Sequence, residues 1–282
     1  MAFLEEIVER KRGEVAAAKN LRDLATLKRM IGDAAAIRSF SGALSNGFGL
    51  ITEIKRRSPS GGDMRQENVE RAPAVYAKSP VVKCVSVLTN STDFGMSIED
   101  LSKMKQQIPK PILRKDFIFE EYQVYEARAF GADALLLMVN VLEPENMRRL
   151  FNLSRELGMD VLFEAHTKEE IEAIPDGAKL YGINSRKFKA STETFANSTK
   201  SSDFTVELGS FSLINHLPKD SIKIAESGVK PSKLSDVIEM GYDAVLVGTS
   251  LLKAESGIEN MLKDFEQTIS RNSRPKSISV ER

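Results

Sequence analysis

A single cysteine, Cys84, stands in 282 residues. No internal disulfide framework is available, and most Cys-built metal sites are excluded. Two histidines leave little from which to build an imidazole metal centre. Neither sign of charge is in excess: forty Lys and Arg balance forty Asp and Glu. A polyanion binder usually carries a basic surplus, so a dedicated nucleic-acid role is not expected. Long apolar runs are also missing. The longest covers residues 134–139, far short of the roughly 18 residues of a membrane span. The opening run MAFLEEIVERKRGEV mixes acidic, basic and apolar residues from the start. It has no secretory hydrophobic region, and a cytoplasmic location is expected.

What is present is a globular composition, 41% hydrophobic and 28% charged, which excludes a mostly disordered chain. Phe3, Leu4, Ile7 and Val8 recur at helical spacing, and residues 2–31 read as one helix interrupted at Gly32 or Asp33. A shorter helix follows over 37–44, then an Asn46-Gly47 turn. Beyond it, short apolar runs alternate with amphipathic stretches. Eight strands are predicted, at 50–55, 82–88, 112–114, 134–139, 160–164, 180–184, 222–225 and 244–247. Helical patterns fall between them, at 120–130, 145–157, 168–173 and 231–240. The strands lie too far apart for hairpins and suit parallel βα units. That pattern fits a closed barrel or an open doubly wound sheet, and eight repeats favour a single (β/α)8 TIM barrel. The expected division is a helical extension at 1–48, the barrel at 49–265 and a flexible tail at 266–282. Cys84, inside VVKCVSVL, reads as a buried, reduced core residue.

Several strands end in charged or amide residues. Side chains alternate along a strand, so Glu53 and Lys55 share a face, as do Leu113 with Lys115, Leu162 with Glu164 and Ile224 with Glu226. Asn184 ends YGIN in the same way. In a closed barrel these two lysines, three carboxylates and an amide converge on one mouth, where such barrels carry their catalytic groups. An isolated lysine is charged at neutral pH, and a second lysine with partial burial is expected to lower its pKa. A second signal is Glu-Ser-Gly-Val-Lys-Pro after strand seven and Gly-Thr-Ser after strand eight. Glycine-rich turns there are a common phosphate grip of this architecture.

Through LITEIKRRSPSGG, VSVLTNSTDF, PILRKDFIFEEYQVYEARAFGADALLLMV, LGMDVLFEA, GINSR, IAESGVKP and DAVLVGTSLLKA the chain resembles indole-3-glycerol phosphate synthase, a tryptophan-pathway family. The resemblance runs in order over about residues 3–260 and includes the helical extension. It implies a (β/α)8 barrel that converts 1-(2-carboxyphenylamino)-1-deoxyribulose 5-phosphate to indole-3-glycerol phosphate, carbon dioxide and water. It implies no metal and no organic cofactor. By motif, Lys115 corresponds to the general acid for ring closure, and Lys55 to a second lysine that contacts substrate and assists proton transfer. The division of acid and base work between these two stays open. Glu164 corresponds to the base of the dehydration. Glu53, Asn184, Glu226 and Ser227 correspond to orienting residues. Ser58, Arg186, Gly228, Gly248 and Thr249 correspond to the phosphate and substrate grip, and Pro59, Phe94 and Phe117 to the slot for the aromatic ring. The expected partner is a small phosphorylated molecule, with no nucleic acid or membrane, the chain acting as a monomer or weak homodimer.

The sequence departs from the family pattern at Phe94-Gly95-Met96-Ser97, where Gly-Ser usually follows the Phe, and at Ala225, usually Ser. Residues 190–202 (ASTETFANSTKSS) read as an insertion: a lid, a partner surface or an inert elaboration. His166 is expected to be a solvated loop residue, and His216 to lie on a surface helix. Two rival readings are a phosphosugar isomerase on the same scaffold, which has no need of the Lys55, Lys115 and Glu164 set, and a non-catalytic paralogue, which needs none of the charged motif residues.

Overall fold

A computed structural model describes residues 3–188 and 204–272. The predicted insertion at 190–202 and the end of the predicted tail, 273–282, lie outside the described residues. Eight parallel strands close into a barrel: β1 (Gly49–Ile54), β2 (Val82–Leu88), β3 (Ile112–Lys115), β4 (Ala134–Met138), β5 (Asp160–Ala165), β6 (Leu180–Asn184), β7 (Ile222–Glu226) and β8 (Ala244–Val247). Each pairs with its sequence neighbours, and β1 pairs with β8 to complete the ring. Closure leaves no sheet edge to solvent. Two short antiparallel ribbons, Arg57–Ser58 with Gly62–Asp63 and Arg186–Phe188 with Phe204–Val206, rise from the loops after β1 and β6.

Alternation along the strands divides the core in two. Ile51, Cys84, Leu113, Leu136, Leu162 and Ile224 fill the barrel interior. Leu50, Val85, Leu135, Phe163, Ile183 and Val245 point outward and pack under the helices. Each fully buried aliphatic side chain contributes about 1.5–3 kcal/mol. Cys84 is fully buried inside the barrel, as its apolar setting predicts.

The N-terminal segment is two helices rather than one, α1 (Phe3–Leu21) and α2 (Leu24–Asp33). The chain breaks because Asp23, in extended backbone, caps α2 by accepting from the Thr26 N–H at 2.8 Å. Gly32 lies inside the last turn of α2 rather than interrupting it. The next helix, α3 (Phe40–Leu44), is shorter than the predicted 37–44 because Ser39 caps it. Strands β3, β5 and β7 run one residue past their predicted ends, to Lys115, Ala165 and Glu226. β1 and β4 stop one residue sooner, at Ile54 and Met138, and Val139 opens a 3-10 turn.

Around the barrel follow α4 (Gln66–Lys78), α5 (Ser91–Phe94), α6 (Ile98–Gln107), α7 (Glu121–Ala129), α8 (Pro144–Glu156), α9 (Lys168–Glu172), α10 (Pro231–Glu239), α11 (Thr249–Leu252) and α12 (Ile258–Asn272). Residues 266–272, expected in a flexible tail, continue α12. His216 ends a 3-10 helix, Leu208–His216, and is exposed.

The segment before β1 closes both ends of the barrel. Beneath it, Phe40 and Leu44 of α3 are buried with the interior core. The Asp133 carboxylate there accepts from the Arg38 and Ile112 N–H groups at 2.7 Å each and pairs with Lys105 at 2.5 Å. Asp160 accepts from the Ser41 N–H at 2.9 Å. Above the barrel, α1 crosses the mouth. Its Lys11 ammonium lies 2.6 Å from Asp116 and donates to the Thr89 carbonyl at 2.8 Å, while Glu14 accepts from the Thr92 N–H at 3.0 Å.

Candidate active site

The carboxyl ends of the strands surround a cavity of about 810 Å³. β1 delivers Glu53 and, just past its end, Lys55. β3 delivers Lys115, β5 Glu164, β6 Asn184 and β7 Glu226. All fifteen site residues singled out in the sequence line this one cavity: the four loop residues Ser227, Gly228, Gly248 and Thr249, Ser58 and Arg186, and the apolar Pro59, Phe94 and Phe117 join the six just named.

The floor is a set of buried ion pairs. Lys115 Nζ lies 2.8 Å from Glu164 Oε2 and 3.2 Å from Glu226 Oε2. Lys55 Nζ donates to Glu53 Oε1 at 2.6 Å. Asn184 Nδ2 donates to Glu164 Oε1 at 3.0 Å, and its own Oδ1 accepts from the Arg186 N–H at 3.0 Å. Glu164 and Glu226 are each only 1% exposed. Charges held this far from water persist only when paired.

Two glycines make room for these carboxylates. A methyl group on Gly182 of β6 would collide with Glu226 Oε1, and one on Gly248 would lie 2.6 Å from Glu53 Oε1.

The pairing sets the protonation states. Burial works to lower the Lys115 ammonium, but Glu164, Glu226 and Glu53 overcome it and raise its pKa above the ordinary lysine value. This corrects the expectation of a lowered Lys115. The second lysine spends its charge on Glu53, and three carboxylates face Lys115. Burial works to raise Glu164, yet Lys115 and His166 bring it below the usual carboxylate range. Glu226 moves the other way. Burial dominates there, Glu164 repels it, and it keeps a proton to higher pH than an ordinary glutamate. Glu53 is lowered: Lys55, Lys115 and Arg186 outweigh burial.

The opposite wall is made of backbone and cations. After β7, Ser227 and Gly228 take successive left-handed conformations, φ +70° and +72°. The serine is the one non-glycine with positive φ among the described residues, a strained turn of a kind that clusters at functional sites. Ser185 Oγ donates to the Ser227 carbonyl at 2.9 Å and holds the turn. Pro231 then opens α10, and Gly248 caps α11. Arg186 reaches across to Ser60, and Lys253 to the Gly61 carbonyl, so both flanks latch the loop after β1. That loop is joined to its other neighbour by the Arg56 N–H, which donates to the Phe94 carbonyl at 3.1 Å, and by Arg57, which donates to Thr92 O at 2.8 Å.

Some residues were not singled out in the sequence. Ser60, Asp116, Lys253 and Ile7 of α1 line the cavity. His166 is not solvated: its side chain is 9% exposed, with Nε2 3.6 Å from Glu164 Oε1. Burial pulls its pKa down, and Glu170 and Glu164 push it above the ordinary histidine value. Strand parity was the signal for it, since Glu164 and His166 are two residues apart. Among the described residues no cluster of three or more His, Cys, Asp or Glu could hold a metal ion.

A family model for indole-3-glycerol phosphate synthase matches residues 4–264. The indole-3-glycerol phosphate synthase of Chlorobaculum tepidum is 38% identical over 267 residues, which cover 90% of this chain and 97% of the relative. That of Caldanaerobacter subterraneus is 36% identical over 271 residues, 95% of this chain and 98% of the relative. Among solved structures, the 3-hexulose-6-phosphate synthase of Salmonella typhimurium superposes with a TM-score of 0.55 at 14% identity, covering 79% of this chain and 99% of that one. This last likeness is one of fold alone.

Proposed function

The chain belongs to the indole-3-glycerol phosphate synthase family, and from that premise we propose how its cavity closes the indole ring. It is a carboxy-lyase of tryptophan biosynthesis. The substrate is 1-(2-carboxyphenylamino)-1-deoxyribulose 5-phosphate, and the products are indole-3-glycerol phosphate, carbon dioxide and water.

The substrate has an aromatic acid at one end and a phosphate at the other. The apolar side of the cavity, Pro59, Phe94 and Phe117, takes the ring. Ser58, Arg186, Gly228, Gly248 and Thr249 take the phosphate and the chain next to it. Holding both ends brings the ring carbon that bears the carboxylate against the ketone carbon, which supplies the entropic part of catalysis. As the carbon–carbon bond forms, negative charge grows on the ketone oxygen. Lys115 stabilises that charge and donates its proton to the oxygen. Carbon dioxide then leaves and the ring regains its aromaticity. In the dehydration that follows, the hydroxyl takes up a proton from one of the two lysines and departs as water, while Glu164 accepts the proton lost from the substrate carbon. Lys55 contacts substrate and assists these proton transfers. Glu53, Asn184, Glu226 and Ser227 orient the groups that do the work.

One observation carries this reading. A single ammonium, Lys115, is shared by two buried carboxylates at the floor of the cavity. A charged donor and a nearby acceptor are thus ready for successive proton transfers of opposite direction. The reading includes a reaction without metal or organic cofactor. It also includes a cytoplasmic chain that acts as a monomer or weak homodimer, in which residues 1–48 serve the 49–265 barrel as a cover. No helix among the described residues is long and apolar enough to cross a membrane. The test is a fluorescence assay for indole-3-glycerol phosphate with purified protein, the named substrate and no added metal. Product formation that survives a chelator supports the reaction and its independence of metal. Binding of the substrate without turnover would favour a non-catalytic barrel.

A further inference from the structure

Two buried carboxylates, Glu164 and Glu226, share one ammonium at similar distances. Lys115 alone does not decide which of them keeps the negative charge. The Asn184 amide, which donates to Glu164 Oε1 at 3.0 Å, and His166, which adds a charge, break the symmetry. His166 follows β5 on the same face as Glu164, with Nε2 3.6 Å from Glu164 Oε1. Its ring is clamped from the far side. Glu170 Oε2 in α9 accepts the His166 backbone N–H at 2.6 Å and lies 3.3 Å from Nδ1. Thr167 caps α9 by accepting from the Glu170 N–H at 3.2 Å. The groups that face the ring are Glu164 on its own strand, Glu170 on α9 and Glu226 from β7, with Lys115 of β3 reached through Glu164.

We propose that His166 is a positioning residue that assigns the negative charge of the Glu164–Glu226 pair to Glu164 and keeps that carboxylate ready to accept a proton. The inference rests on the reading of Glu164 as the base of the dehydration. An imidazolium held by Glu170 places a second cation beside Glu164 and none at comparable distance beside Glu226. An opposite charge within about 4–6 Å favours ionisation of its neighbour. Glu164 therefore lies between cations on both sides, and the shared proton goes to Glu226. Such an arrangement separates two like groups into an ionised and a protonated member, as acid–base pairs require.

The chain has only two histidines, so nitrogen-15 histidine labelling gives two ring systems. Loss of one on His166→Gln assigns them. The His166 ring of the full-length protein is expected to titrate above the ordinary histidine value of about 6.5, with its midpoint falling by about one pH unit or more in Glu164→Gln. In the turnover assay, Glu164 must be ionised to act, so loss of its cation moves the acid limb of kcat upward. His166→Gln is expected to move that limb up by about one unit, lowering kcat about tenfold at pH values on the limb itself while kcat above it, and KM, stay within about twofold. Glu170→Gln, which leaves the cavity lining intact, moves the limb in the same direction by less, and it serves if His166→Gln does not fold. An imidazole titration indifferent to Glu164→Gln, or an unmoved acid limb in the folded variants, overturns the proposal. If the ring responds to Glu164→Gln but that variant turns over normally, the pairing is present and the assignment of Glu164 as base is what fails.

Discussion

Replacement of Lys115 by methionine keeps the length of the side chain and removes its charge. Two kinds of transition-state help go with it. A positioned general acid contributes about 10²–10⁴ in rate, and stabilisation of a developing oxyanion about 10²–10³. Taking the lower figure for each, turnover falls by at least about 10⁴, or about 5.5 kcal/mol at 1.36 kcal/mol per decade. The fold survives, because Leu113 and the barrel ladder do not depend on the ammonium. Its stability acquires a new pH dependence. Glu164 and Glu226 are left facing each other without their shared cation, and breaking such a buried pair costs about 3–5 kcal/mol when both carboxylates must stay charged. Protonation relieves that cost, so the folded-state pKa of one carboxyl rises above its unfolded value. The folded state then binds the extra proton, and stability increases as pH falls through the raised folded pKa.

In the wild-type protein the two carboxyls behave in opposite senses. Its Glu164 is depressed, so that contribution is present above the unfolded glutamate value of about 4.3 and lost as pH falls through the folded one. Glu226 holds its proton above the ordinary glutamate range, so its contribution grows as pH falls toward the unfolded value, and thermal melts from pH 8 to pH 5 should rise in both proteins, more steeply for Lys115→Met. Product fluorescence and circular dichroism on the same samples complete the assay. A folded Lys115→Met that turns over within tenfold of wild type would refute the acid assignment. A melting profile parallel to wild type would refute the electrostatic account of the floor.

Gly182→Ala drives a methyl into Glu226 Oε1. It is expected to lower kcat by up to about 10², the cost of an ångström-scale misplacement, and steady-state kinetics with a KM control check this. Lys11→Met leaves Asp116 and Thr89 without their bridge from α1 and should lower stability by about 3 kcal/mol, read from urea unfolding. Asp133→Asn at the opposite end breaks the pair with Lys105. It should reduce stability by a similar amount of about 3–5 kcal/mol yet leave kcat within about twofold, because the lower face of a barrel carries stability rather than catalysis. Cys84 is buried and its thiol is pushed up by that burial, with Asp133 and Asp160 adding to the effect. A thiol reagent at pH 8 should label it only after denaturant is added, and rapid native labelling would contradict the closed lower end.

The eight strands and the convergence of their charged ends were legible because period-two alternation ties each terminal charge to an apolar partner: Leu162 to Glu164, Ile224 to Glu226. The same rule reaches His166. Its burial is not legible there, because a loop residue's burial depends on what packs over it, here Glu170 of α9. The break between α1 and α2 was hidden by apolar residues that keep helical spacing across Arg22 and Asp23. The Asp23-to-Thr26 cap is the local signal that outweighs that spacing. The charge state of Lys115 was misjudged for a different reason. Sequence displays two lysines but not which carboxylate each will meet, and that depends on barrel closure bringing β3, β5 and β7 around one point.

The segment ahead of β1 holds both ends of the barrel, and its named anchors all fall between Thr89 and Asp160. The lysines of the floor, Lys55 and Lys115, belong to the same half of the chain, whereas the glycine turns after β7 and β8 come after residue 184. A ribosome that has released about the first 165 residues has therefore already supplied the cover, the plug, five strands and both reactive ammonium groups. The later half contributes Asn184, Glu226 and the turns at Ser227-Gly228 and Gly248-Thr249. The order of synthesis thus presents the cover, the plug and both lysines before the turns that follow β7 and β8.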